Sequence, residues 1–190
     1  MFNGLALALT DVNTPMIFAF CSRFLESFVE LVRVYKNFPE VQILVLRLYT
    51  DMIKHFEFTV LPVEQISYFH TCTIQLLQAF STVNLGVNRN VEWDEAEENP
   101  YEDVSVVLSM LIALLDVRGV DQMMANVPNA VLPSTVVFTG VNILIPIIKR
   151  QMLEVKHTLS IPVEKNMPCW TLPAELFTKH FLSLLYSIDP

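Results

Sequence analysis

Residues 14–57 read TPMIFAFCSRFLESFVELVRVYKNFPEVQILVLRLYTDMIKHFE, two apolar stretches at helical spacing divided by Asn37-Phe38-Pro39. In the first, Ile17, Phe20, Cys21, Phe24, Phe28, Leu31, Val32 and Tyr35 recur at three- and four-residue steps, which places them on one face of a helix. Proline pushes the residue before it out of the α region, so the pattern must break at Phe38 and restart at Pro39. The second stripe then runs through Val41, Leu44, Val45, Leu48, Tyr49, Met52 and Phe56. Two long helices joined by so short a turn lie antiparallel, as a helical hairpin.

The same punctuation repeats along the chain. Pro15, Pro39, Pro62, Pro100, Pro133 and Pro173 each stand at the head of an apolar stretch, and proline is favoured in the first helical turn because its missing N–H would be unpaired there. After Pro62 come Ile66, Phe69, Thr73, Leu76, Leu77 and Phe80, ended by Asn84-Leu85-Gly86. After Pro100 come Val104, Val107, Leu108, Leu111, Leu114 and Leu115, with Glu102 and Asp103 in the first turn, where the helix dipole favours negative charge. Gly119 to Leu132 reads as a loop.

Ser134 leads into Val137, Val141, Leu144, Ile145 and Ile148, a helix apolar nearly all round and therefore expected to be the most buried, with Pro146 bending or shortening its last turn. Residues 157–172 hold Pro162 and Pro168 and do not support a standard helix. A last helix from about Pro173 carries Phe177, Phe181, Leu184, Leu185 and Ile188.

The expected fold is all-α, an α-α superhelix of the HEAT or armadillo kind with about six helices in antiparallel pairs. Its parts are an N-terminal extension at 1–13, a hairpin at 14–57, a helical pair at 62–116 with an acidic loop at 87–99, and C-terminal helices at 133–190. Such arrays work through surface shape and charge. The 190 residues are 53% hydrophobic and only 17% charged, so much of the helix surface must be covered by protein.

Composition narrows the function. A net charge of −8 disfavours nucleic acid, which needs clustered Lys and Arg. Cys21, Cys72 and Cys169 are odd in number and widely spaced, as in a reduced intracellular protein. The N-terminal apolar run has no positive charge ahead of it, so no secretory signal is expected. Gln122 to Ile148 is uncharged, but it contains Pro128, Pro133 and Pro146, and its strongly apolar part is barely a minimal span of roughly 18 residues. No membrane partner is expected.

Reactive chemistry is not indicated. His55, His70, His157 and His180 share no metal-ligand spacing with each other or with the cysteines. The glycines Gly4, Gly86, Gly119 and Gly140 never cluster into a phosphate loop, and neither G-x-S-x-G nor aspartate-rich metal motifs occur. No enzyme activity, metal or cofactor is expected. The concentrated electrostatic feature is Glu92, Asp94, Glu95, Glu97, Glu98, Glu102 and Asp103, with Trp93 among them and no basic residue. As a solvated loop it needs no function; as a docking surface it selects a basic partner, with Trp93 as an anchor.

Four runs carry a resemblance. Val34-Tyr35-Lys36-Asn37-Phe38-Pro39-Glu40, Asn84-Leu85-Gly86, the acidic stretch into Pro100-Tyr101-Glu102-Asp103, and Gly140-Val141-Asn142-Ile143-Leu144-Ile145-Pro146 occur in an order and spacing that resembles exportins of the importin-β (karyopherin) superfamily, from about Thr14 to the end. The resemblance implies a central to C-terminal segment of a longer HEAT-repeat receptor that uses the Ran GTPase cycle to carry protein cargo through nuclear pores. Implied partners are a hypusine-bearing translation factor, Smad-type and Sox-type factors, nuclear pore proteins, and Ran-GTP, the last mainly through repeats outside this chain. The implied location is nucleus and cytoplasm. Similar proteins place a full helix where Lys156 to Leu172 is short and proline-rich, which would leave the Leu144 to Ile148 face uncovered. Two other classes fit the residues alone: a HEAT or armadillo adaptor unrelated to transport, and a helical membrane protein.

Overall fold

The computed structural model describes residues 10–85, 102–117 and 119–158, with side chains as far as Lys149. Seven α-helices occur among them and no strand: α1 (Thr14–Cys21), α2 (Leu25–Val34), α3 (Pro39–His55), α4 (Val63–Asn84), α5 (Glu102–Leu115), α6 (Val120–Met124) and α7 (Pro133–Thr158). Short 3₁₀ turns at Ser22–Phe24 and Phe58–Val60 join α1 to α2 and precede α4. The chain is an all-α solenoid.

Its defining feature is which helices touch. α2 packs against α4 and α4 against α7 in one layer, while α3 packs against α5 in the other; α2 with α3 and α5 with α7 bridge the layers. Helices alternate between layers, so each long helix lies beside the one two steps along the chain. That arrangement buries a continuous seam between neighbouring units.

The seam is aromatic where α1, α3 and α4 meet. Phe69 of α4 is fully buried, with Tyr49 stacked on it at 5.6 Å and Phe18, Phe56 and Phe58 around it at 6.3, 6.4 and 5.5 Å. The Tyr49 hydroxyl donates to the Leu25 carbonyl at 3.0 Å, which satisfies its polar end across the hairpin. Buried Gln42 fixes the hairpin turn: its Nε2 donates to the Lys36 carbonyl and its Oε1 accepts from Asn84 Nδ2, both at 3.0 Å. Thr50 and Thr73, also buried, return their hydroxyls to carbonyls four residues back.

The structure revises several expectations. The first helix is divided by the 3₁₀ turn, and its inward row is Phe18, Cys21, Leu25, Val29 and Val32. Phe20, Phe24 and Tyr35 face out instead. On α3, Leu44 is exposed, and Leu46 and Ile53 join the buried set. Thr14 is the first residue of α1 and fully buried, with its hydroxyl donating to the Thr10 carbonyl at 2.9 Å. The expected Gly119–Leu132 loop contains α6, which Gly119 introduces in the left-handed region at φ 78°.

The last described helix differs most. α7 continues through Pro146 to Thr158, so Lys156, His157 and Thr158 are helical and the irregular stretch cannot begin at His157. Pro146 and Asn142 are both exposed, so the carbonyl that loses its donor lies on the solvent side. Nor is α7 the most buried element, since Phe138 is 69% exposed. That place belongs to α5, which has no exposed residue and sits between α3 and α7. The Leu144 to Ile148 face is not uncovered: Leu144 and Ile147 are buried, and Ile145 and Ile148 half-buried. The expected helix from Pro173 lies outside the described residues.

Candidate protein-docking surface

Of the acidic candidates, Glu92, Trp93, Asp94, Glu95, Glu97 and Glu98 lie outside the described residues. Glu102 and Asp103 open α5, as their charge favours. Glu102 pairs with Arg47 of α3 across the layer that α3 and α5 share. Asp103 is only 4% exposed, and its Oδ1 accepts the Val104 N–H at 2.8 Å. It is therefore a structural residue at the buried start of α5 and not part of a surface; the inner face of a central helix left it nowhere else to point.

A row of exposed aromatic side chains stands on the first helices. Phe20, Phe24 and Phe28 follow one another at four-residue steps with ring centroids 5.4 and 6.3 Å apart. Phe20 and Phe24 remain 42% and 38% exposed, and Met16, one turn earlier, is more exposed still. Tyr35 and Phe38, in ring contact at 6.0 Å, stand exposed at the hairpin turn. Arg23, Glu26, Glu30 and Arg33 are all exposed along the same two elements, with Glu30 and Arg33 paired. An apolar row edged by charges of both signs is the composition of a protein contact.

Sequence reasoning assigned these phenylalanines to the core because their spacing suits a core stripe. The overlooked signal was width: Phe18, Phe20, Cys21, Phe24, Leu25, Phe28, Val29 and Val32 span far more than the arc of about 100° that one neighbour covers.

The titratable groups inside the fold are arranged for packing. Tyr68 of α4 donates to Glu26 of α2 at 3.1 Å. Burial first, then nearby Cys72 and Glu26, hold the Tyr68 phenol above its ordinary range. Burial, followed by Cys72, Tyr68 and Glu26, does the same to Tyr49. Burial also pushes up the thiols of Cys21 and Cys72, which keeps both protonated and poorly nucleophilic. His70 is buried too, with its pKa lowered chiefly by desolvation. Among the described residues no three His, Cys, Asp or Glu side chains converge as a metal site, and no helix is long and apolar enough to cross a membrane. No protein-family model matches the chain.

Proposed function

We propose that this chain is a protein-binding segment of a nuclear transport receptor similar to exportin-4, a non-catalytic scaffold that carries protein cargo in a Ran-GTP-dependent cycle between nucleus and cytoplasm. The observation that carries the scaffold reading is the two-layer stack with an exposed row of aromatic rings on its first helices. The transport reading adds the four ordered runs, from Val34-Tyr35-Lys36-Asn37-Phe38-Pro39-Glu40 to the Gly140 run. On this reading the cargo set is the hypusine-bearing translation factor with Smad-type and Sox-type factors, and nuclear pore proteins are transit partners. Ran-GTP engages mainly repeats outside this chain. The acidic residues Glu95, Glu97 and Glu98 meet basic cargo, with charge contributing encounter rate and selectivity.

The test is a pull-down from the full-length receptor with GTP-locked Ran and a basic cargo. A ternary complex is expected, weakened in a salt-dependent way by charge reversal at Glu95, Glu97 and Glu98. No ternary complex would remove the transport reading. Retained binding of other proteins, with no signal at the nuclear rim, would instead support an adaptor unrelated to transport, since one repeat fold serves many functions.

A further inference from the structure

Ser67 and His70 stand three residues apart on α4 and reach the same backbone unit, Val131, in the segment between α6 and α7. Ser67 Oγ accepts the Val131 N–H at 3.0 Å, and His70 Nδ1 lies 2.6 Å from the Val131 carbonyl oxygen. A carbonyl can only accept, so Nδ1 carries the ring proton and Nε2 holds the lone pair. That Nε2 is buried with no hydrogen-bond partner among the described residues. The imidazole is fully buried, with the Phe58 and Phe69 rings 6.0 and 6.1 Å away.

A second proton would have to enter at Nε2, which is buried and has no hydrogen-bond partner among the described residues. The charged group that bears on the ring is Asp121 of α6, whose carboxylate also accepts from the Ser134 hydroxyl at 3.0 Å. The Val131 carbonyl bound to Nδ1, and after it Asp121, favour the cation, but burial outweighs both. Among the described residues the other elements around α4 bring no compensating charge. Glu26 of α2 and Tyr49 of α3 gather around Tyr68 and Cys72 instead. Glu57, before the 3₁₀ turn, is bound to Thr59. The described side chains of α7 include no titratable group before the exposed Lys149.

The ring's cover is uneven. The Phe58 and Phe69 rings, both buried, stand on part of it, but residues 125–132, which meet it through Val131, are an irregular strip. Ala125, Asn126, Pro128 and Asn129 are exposed, and Val127 and Ala130 to Leu132 only half-buried. Asn129 also sits at φ 61°, in the left-handed region. Lifting this strip hydrates the ring at the smallest loss of packing.

We propose that His70 is an acid-sensitive latch whose protonation releases residues 125–132 from α4. Because burial lowers the folded ring's pKa, the latch contributes fully above the ordinary imidazole value near 6.5 and is lost as pH falls below it through the folded value.

Two measurements on the full 190-residue chain test this. The first is amide hydrogen exchange corrected for intrinsic rates at pH 7.5 and pH 5. Protection of residues 125–132 should fall by about fivefold or more in the acid while the α4–α5 core holds, and His70→Gln, which keeps a donor for Val131 but does not titrate, should remove the difference. The second is the NMR titration of the His70 ring in the unaltered protein, which needs no variant to fold and should report a pKa below 6.5. An imidazole titrating at or above 6.5, an equal acid loss in His70→Gln, or a loss spread evenly over the core would each overturn the latch. None of these outcomes depends on cargo or Ran.

Discussion

Truncating Phe69 to alanine removes the ring at the centre of the α1, α3 and α4 seam, and its cost follows from what the ring touches. The side chain is fully buried and meets Phe18, Tyr49, Phe56, Phe58 and His70 within 6.4 Å. A buried Phe→Ala change costs about 3–5 kcal/mol through lost transfer and the cavity left behind. The loss of ring-on-ring geometry adds about 0.5–1.5 kcal/mol per pair, partly counted already. Neighbours drawn from three helices and a 3₁₀ turn are poorly placed to collapse together, which puts the change at the upper end, about 4–5 kcal/mol. A domain of ordinary stability holds about 5–15 kcal/mol, so roughly a quarter or more would go.

Urea unfolding followed by far-UV circular dichroism reads this directly: at a slope of about 2 kcal/mol/M, the midpoint should drop by about 2 M with the slope unchanged. Phe138→Ala is the matched control, because that ring is 69% exposed on α7 and its loss should stay within about 0.5 kcal/mol. A Phe69→Ala cost below about 1.5 kcal/mol, or one no larger than that of Phe138→Ala, would refute the packing described for α4.

Gly140→Ala should destabilise despite the helix preference of alanine. Its Cβ would lie 2.6 Å from Leu111 Cδ2 and 3.0 Å from Cδ1, and Leu111 is fully buried between α5 and α7. Because Leu111 is fully buried and has little room to turn aside, overpacking of about 1–3 kcal/mol should exceed a propensity gain of about 1 kcal/mol, and a rise in the urea midpoint would mean that the Leu111 methyl groups give way freely. Arg47→Ala removes the pair with Glu102 at a site about half exposed, and should cost under about 0.5 kcal/mol. That cost should shrink further in 1 M salt, and a larger, salt-insensitive loss would mean the arginine acts through packing.

How far the sequence carried the fold depends on how many neighbours each helix has. α4 and α5 were legible almost residue by residue: Ile66, Phe69, Thr73, Leu76, Leu77 and Phe80 are all buried, as are Val104, Val107, Leu108, Leu111 and Leu114. Pro39, Pro62 and Pro133 likewise stand at the starts of α3, α4 and α7, where their backbone chemistry suits them. On α1 and α2 the apolar arc is too broad for one stripe, and periodicity cannot say which part of it the next helix covers. Phe20 and Phe18 have the same chemistry and nearly the same neighbours in sequence; one is exposed and the other buried because α4 approaches from a direction that only the folded stack sets. Proline misleads in a parallel way at Pro146. Its local cost is real, but packing through Leu144 and Ile147 holds α7 together while the orphaned carbonyl faces water. The same limit shows at single residues of the candidate surfaces: a carboxylate announces itself in a sequence, yet Asp103 is buried at its own helix start, whereas Phe20 and Phe24, left outside, look like core until the neighbour that fails to cover them is known.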